Sequence, residues 1–229
     1  MDGYGLVLDI PKELETMQLP SSELLNFYLL RGKRIFYIDY DIDIDILQIQ
    51  REIIRINFED YGKPVNERIP IKILIDSNGG LLSETMALVA TIEQSQTPVY
   101  TINVAGAYSG GCLLLISGHR RFAMPYSKAL IHSGNGELSG THEQIVAQTK
   151  KYEREIKVMG DYICSHTKIT PKFYAKKKND EWYLDVNEQI EYGLVDEQVK
   201  NLYDLLYCED WKDEYQGISK QNCKRDRLF

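Results

Sequence analysis

The chain alternates short runs of β-branched and aromatic residues with longer stretches in which apolar side chains recur every three or four positions. Ser21 or Ser22 can cap a short helix carrying Leu24, Leu25, Tyr28 and Leu29. Arg34-Ile35-Phe36-Tyr37-Ile38 reads as a strand, and Ile46, Ile49, Ile53 and Ile56 fall on one face of a helix drawn between Asp41 and Phe58. The run Asp41-Ile42-Asp43-Ile44-Asp45-Ile46 also fits a period-two strand or a calcium loop. It lacks the glycine and closing glutamate of an EF-hand, however, and acidic residues suit the positive end of a helix, so the helix is expected to open there. A polar linker over residues 59–68 leads to a buried strand, Pro70-Ile71-Lys72-Ile73-Leu74-Ile75-Asp76, and then to a helix over 82–94. Short strands are expected at 121–124 and 128–131, a long amphipathic helix from about Thr141 to His166-Thr167, and a strand-helix-strand unit over 182–199. Strands that alternate with crossover helices predict parallel pairing and an α/β layer fold.

The stretch from Gln94 to Gly118 carries no charge and has about the length a bilayer helix needs. Pro98, Asn103, Gly106, Ser109, Gly110 and Gly111 break it into a β-rich half and a short apolar helix joined by a tight bend. It therefore reads as a buried strand feeding a buried helix. Composition agrees with a folded protein of 229 residues: 43% hydrophobic and 27% charged residues exclude disordered, collagen-like and disulfide-scaffold chains. With 27 basic against 34 acidic residues, the net charge of −7 disfavours nucleic acid and anionic membrane as partners. Cys112, Cys164, Cys208 and Cys223 are spread without a CxxC or a Cys/His cluster. They read as reduced thiols, with no metal site and no cofactor expected. The N-terminus lacks a basic region followed by a long apolar stretch, so no secretory or transit segment is expected and a cytoplasmic location is.

Two turns carry candidate chemistry. In Ala107-Tyr108-Ser109-Gly110-Gly111 a serine stands between a buried strand and an apolar helix, where backbone N–H groups point outward. The pattern partly matches a G-x-S-x-G nucleophile elbow, with Ala107 in place of the first glycine. In Asp76-Ser77-Asn78-Gly79-Gly80 two glycines follow a buried strand and let an amide approach a ligand without an intervening Cβ. His132 ends the strand Lys128-Ala129-Leu130-Ile131 and precedes Ser133-Gly134-Asn135-Gly136, which puts an imidazole at a strand-to-loop edge. His119, His142 and His166 sit at helix ends and read as surface or capping residues. Each feature alone has a plain alternative: a capping serine, a helix-opening turn, a satisfied polar histidine.

Their order is more specific than any one of them. The sequence of the two turns above, then Met124-Pro125-Tyr126-Ser127, Leu130-Ile131-His132, His166-Thr167 and Glu191-Tyr192-Gly193-Leu194-Val195-Asp196, resembles the proteolytic subunits of the Clp protease, the ClpP family. The likeness runs over residues 22–199, leaving 1–21 as a lead-in or axial segment and 200–229 as a polar extension. It implies a crotonase-like spiral of β-β-α units with a protruding handle helix, and an ATP-dependent serine endopeptidase that cleaves unfolded polypeptides inside a chamber. Subunits would self-associate into stacked rings, alone or with a second subunit of the same type, and an AAA+ ATPase would feed them. On this mapping Ser109 is the nucleophile and His132 the general base, and the amides of Gly80 and Gly110 form the oxyanion hole. Leu81, Gly134, Asn135 and Gly136 would bind the substrate backbone.

Counted without gaps between the last two motifs, the family's triad aspartate falls on Lys177, and a lysine cannot orient a neutral imidazole. A short slip makes Asp180 the expected carboxylate, with Asn179 second and a Ser-Lys dyad using Lys177 third. The mismatch also sustains a catalytically impaired structural subunit as the alternative. An acyl-CoA enzyme on the related fold would not need Ser109 and His132 together. After the first strand the family has glycines where this chain has Asp39-Tyr40-Asp41.

Overall fold

The computed structural model describes residues 21–207, so the lead-in over 1–20 and the tail from Cys208 lie outside the described residues. Two compact units divide the chain, residues 1–33 and 34–229. The first contributes helix α1 (Ser22–Gly32), which Ser21 caps by accepting a hydrogen bond from the Leu24 N–H (3.2 Å).

The second unit is built on a seven-stranded sheet in which β1 (Ile35–Ile38), β2 (Ile71–Ser77), β3 (Val99–Tyr108) and β4 (Arg120–Ala123) are consecutive parallel neighbours. Helices α2 (Leu47–Glu59), α3 (Leu82–Gln94) and α4 (Gly110–Ser117) cross between strands, as the alternating pattern predicts. Ile71, Ile73 and Ile75 of β2, Ile53 and Ile56 of α2, Leu88 and Ile92 of α3 and Leu113 to Leu115 of α4 share one core. Every residue of α4 is buried, which explains its lack of a polar face. Among the described residues, no helix is long and apolar enough to cross a membrane.

The ten-residue β3 serves two partners in succession. Its first half pairs with β4, through Tyr100 to Asn103, and its second half with β5 (Lys128–Ile131), through Gly106 to Tyr108. At the fork Asn103 is fully buried and donates from its amide to the Lys128 carbonyl (2.9 Å) and to Gln189 Oε1 (3.0 Å). Such a polar core residue is retained only when bonded. Beyond β5 the chain runs into α5 (His142–His166), whose buried residues, Met159, Gly160, Tyr162 and Ile163, lie only in its last third. Helix α6 (Pro171–Lys177), antiparallel strand β6 (Trp182–Leu184), α7 (Val186–Glu191), β7 (Glu197–Gln198) and α8 (Leu202–Tyr207) complete the unit.

One expectation changes. The acidic run does not open a long helix: Ile42 forms a bridge to Gly80, Ile44–Ile46 makes a 3₁₀ turn capped by Asp43, and α2 begins only at Leu47. The backbone of Ile42 is needed for tertiary pairing, which a helix would have consumed.

Next to α2 a buried carboxylate ties the β1 start to the rest. Asp60, whose side chain is 1% exposed, accepts two bonds from the Arg34 guanidinium (2.6 and 2.9 Å), one from Lys63 (2.8 Å) and one from Thr97 (3.0 Å). Burial pushes the Asp60 carboxyl up, but its Arg34 and Lys63 partners outweigh that and hold it well below the usual carboxylate range. A carboxyl lowered by folding adds stability that is present above its unfolded pKa of about 4 and is lost as pH falls further. Asp60→Asn should therefore lower the melting temperature at neutral pH and lose less of it than wild type on acidification below about pH 4, as thermal melts at several pH values will show.

Candidate active site

The site is assembled where β2 and β3 end and their following helices begin. Ser109 has φ 54° and ψ −118°, a left-handed conformation unusual for a residue with a Cβ. Three hydrogen bonds hold it. Its N–H donates to the Leu130 carbonyl of β5 (3.1 Å), and its own carbonyl accepts from Cys112 (3.0 Å) and Leu113 (3.3 Å) of α4. The strained turn thus projects the hydroxyl at the start of α4 and is anchored to the strand that ends at His132.

The glycine turn packs directly on this elbow. A Cβ at Gly79 would lie 2.7 Å from Ser109 Cβ, the Gly110 nitrogen and the Tyr108 carbonyl oxygen; one at Gly80 would lie 2.1 Å from the Ile42 carbonyl oxygen. Both positions therefore require glycine, and both have positive φ (95° and 152°). The turn is fixed from its other side by the backbone of Tyr40 and Ile42. Ser77 Oγ donates to the Tyr40 carbonyl (2.6 Å) and accepts from the Gly79 N–H (3.1 Å). The Ile42 N–H donates to the Gly79 carbonyl (2.7 Å) and the Ile42 carbonyl accepts from Leu81 (2.8 Å). This bridge leaves the Gly80 N–H out of the pairing, while Gly110, first residue of α4, has no intrahelical acceptor for its own.

Ser109, Gly80, Gly110 and Leu81 open into a cleft of about 430 Å³ whose opposite wall includes Gly134, Asn135 and Gly136. Tyr152, Ile156 and Met159 of α5 close it, with Tyr152 packed on the glycines: Cβ atoms at Gly134 and Gly136 would meet its hydroxyl and ring at 3.4 and 3.5 Å. The structure thus brings together the expected nucleophile, the two expected oxyanion amides and the expected substrate-binding residues. His132 follows β5 immediately and its Nε2 is buried without a hydrogen-bond partner.

Among the described residues, no hydrogen bond joins His132 to Ser109 or to Asp180. The Asp180 side chain is 61% exposed and its carboxylate lies 3.8 Å from Lys177 Nζ, so Lys177 and Asp180 form a surface pair at the end of α6. Asn179 is exposed on the same turn. Of the other histidines, His119 Nδ1 accepts from the Val99 N–H (3.1 Å), His166 Nε2 lies 2.8 Å from Glu93 at the end of α5, and His142 is exposed at the start of α5. Burial pushes the Cys112 thiol up to about 12, which leaves this neighbour of Ser109 inert as a nucleophile. Sequence reasoning missed Ile42, whose backbone shapes the glycine turn; a β-branched residue in an acidic loop gives no signal of such a role.

Residues 33–201 match the Clp protease family. The chain is 33% identical over 139 residues to the ATP-dependent Clp protease proteolytic subunit 1 of Rhodopirellula baltica, covering 60% of this chain and 61% of that one. It is also 33% identical over 138 residues to proteolytic subunit 2 of Treponema denticola, covering 59% and 69%. The fold matches that of a ClpP1 point mutant from Listeria monocytogenes with a TM-score of 0.68 and 21% identity, over 79% of this chain and 99% of that one.

The tight contact between the turns predicts a sharp contrast between glycines. Gly79→Ala should cost about 1–3 kcal/mol in urea unfolding, from backbone strain and overpacking against Ser109. Gly136→Ala, which meets only the edge of Tyr152, should change stability by less than about 0.5 kcal/mol.

Proposed function

The chain belongs to the Clp protease family, and on that footing we propose that it is a serine endopeptidase subunit that hydrolyses peptide bonds of unfolded polypeptides. One observation carries the reading: the strained Ser109 elbow opens into a cleft lined by Gly80 and Gly110, and its N–H is bonded to β5, the strand that runs into His132. His132 takes the proton of Ser109 Oγ as the oxygen attacks the scissile carbonyl, then returns it to the leaving amine; water repeats the sequence to free the acyl group. The Gly80 and Gly110 amides hold the oxyanion, each donor contributing about 3 kcal/mol to the transition state. Because they are backbone groups of two interlocked turns, they need no reorganisation during the reaction.

The substrate lies extended between Leu81 and residues 134–136, bound through its backbone and therefore with little demand on sequence. Selection then falls to access. The polar first two-thirds of α5, including the partly exposed Ile145 and Val146, supply a surface for stacking subunits into rings, with an AAA+ ATPase unfolding and feeding substrates in the cytoplasm. The expected axial role of the N-terminal segment lies outside the described residues.

Fluorophosphonate labelling of the assembled protein tests the reading: wild type should be labelled and Ser109→Ala should not. His132→Ala should lower cleavage of a small fluorogenic peptide by about 10⁴–10⁶-fold. Absence of Ser109-dependent labelling in assembled protein would sink the proposal and leave a structural subunit.

A further inference from the structure

Within this reading of Ser109 and His132, one role has no occupant: a group that fixes the imidazole. The sheet supplies it by register. β5 and β6 pair antiparallel as Ala129 with Leu184, Leu130 with Tyr183 and Ile131 with Trp182. The ladder ends there, and continuing its register by one step sets His132 against Glu181, the residues that flank the paired strands.

Alternation along β6 decides which way each side chain turns. Trp182 and Leu184 are buried, and Trp182 is held in an aromatic cluster with Phe173 and Tyr192 (ring centroids 5.3 and 5.0 Å). Glu181 and Tyr183 must then share the opposite face, because successive side chains of a strand alternate. They do: the Tyr183 hydroxyl donates to Glu181 Oε2 (3.3 Å). On β5 the same face carries Leu130 and, two residues on, His132. On β3 it carries Tyr108, which pairs with Leu130 and contacts the Tyr183 ring edge-on (5.9 Å). Tyr108, Leu130 and Tyr183 thus form a row across three strands; β3 ends at Tyr108, where the Ser109 elbow begins, and the next positions of that face on the other two segments are His132 and Glu181.

We infer that Glu181 is the carboxylate that positions His132, and that Tyr183 holds this carboxylate on the catalytic face of β6. Glu181 acts through the histidine and is a positioning residue. Its oxygens accept from the imidazole N–H, fix the tautomer that leaves the buried Nε2 free for the serine proton, and face the imidazolium that forms during the reaction. The charge of Glu181 pushes the Tyr183 phenol up, so Tyr183 stays a hydrogen-bond donor to it. Lys177 and Asp180 pair with each other across the turn after α6, whereas Glu181, also exposed, is tied by Tyr183 to the face of β6 that His132 shares.

Glu181→Gln, Glu181→Asp and Asp180→Asn in the assembled full-length protein test the assignment. Glu181→Gln should lower kcat on a small fluorogenic peptide by about 10²–10⁴-fold with KM changed less than about threefold, and Glu181→Asp should recover at least about tenfold of that loss. Asp180→Asn should stay within about twofold of wild type. Independently of turnover, the ring ¹⁵N resonances of His132, assigned with His132→Ala, should report a changed tautomer in Glu181→Gln and not in Asp180→Asn. Unaltered kcat and ring resonances in Glu181→Gln overturn the inference while leaving the peptidase reading intact. If wild type lacks Ser109-dependent labelling, the peptidase reading fails, and the resonances alone decide whether Glu181 orients the ring.

Discussion

The site depends on the close approach of two turns that end neighbouring parallel strands. Gly79 lies so near the Ser109 elbow that no Cβ fits between them, and Gly80 is pressed as closely onto the backbone of Ile42. Three chain segments distant in sequence are thereby locked at backbone level, where rotamer freedom cannot loosen them. Gly80 and Gly110 both line the cleft beside this contact. The strain of Ser109 is sustained by its bonds to Leu130, Cys112 and Leu113.

A second constraint organises the opposite half of the site. Because β3 passes from β4 to β5 at the buried Asn103, its last residues run beside the strand that ends in His132. Ser109 and His132 therefore follow the ends of adjacent strands. Strand β6 extends this arrangement by one more position. The Trp182 cluster fixes its facing, so that a one-residue slip would send Glu181 to the core and is strongly disfavoured. Catalytic geometry here is a matter of sheet register as much as of loop conformation.

Much of this was legible beforehand. Alternating strand and helix periods marked the parallel sheet, and the uncharged stretch from Gln94 to Gly118 separated correctly into β3 and the buried helix after it. The glycine pair and the serine turn announced themselves because tight turns and close backbone approach restrict residue choice. One expectation was displaced. The acidic run around Ile42 carries residues that suit a helix start, yet its backbone is used for the bridge to Gly80. Counting between motifs pointed to Lys177 and then to Asp180. The turn after α6 pairs those two with each other, a contact that counting between motifs does not disclose.

By itself the sequence determined the elements, the layer architecture, and which residues had to be small or nucleophilic. These are properties of local conformation and burial, which act through neighbours along the chain. Tertiary structure decided which backbone pins the glycine turn, which strands lie beside one another, and which face of each strand is buried. Those depend on interstrand register and on contacts between segments tens of residues apart, and no periodicity within one segment encodes them.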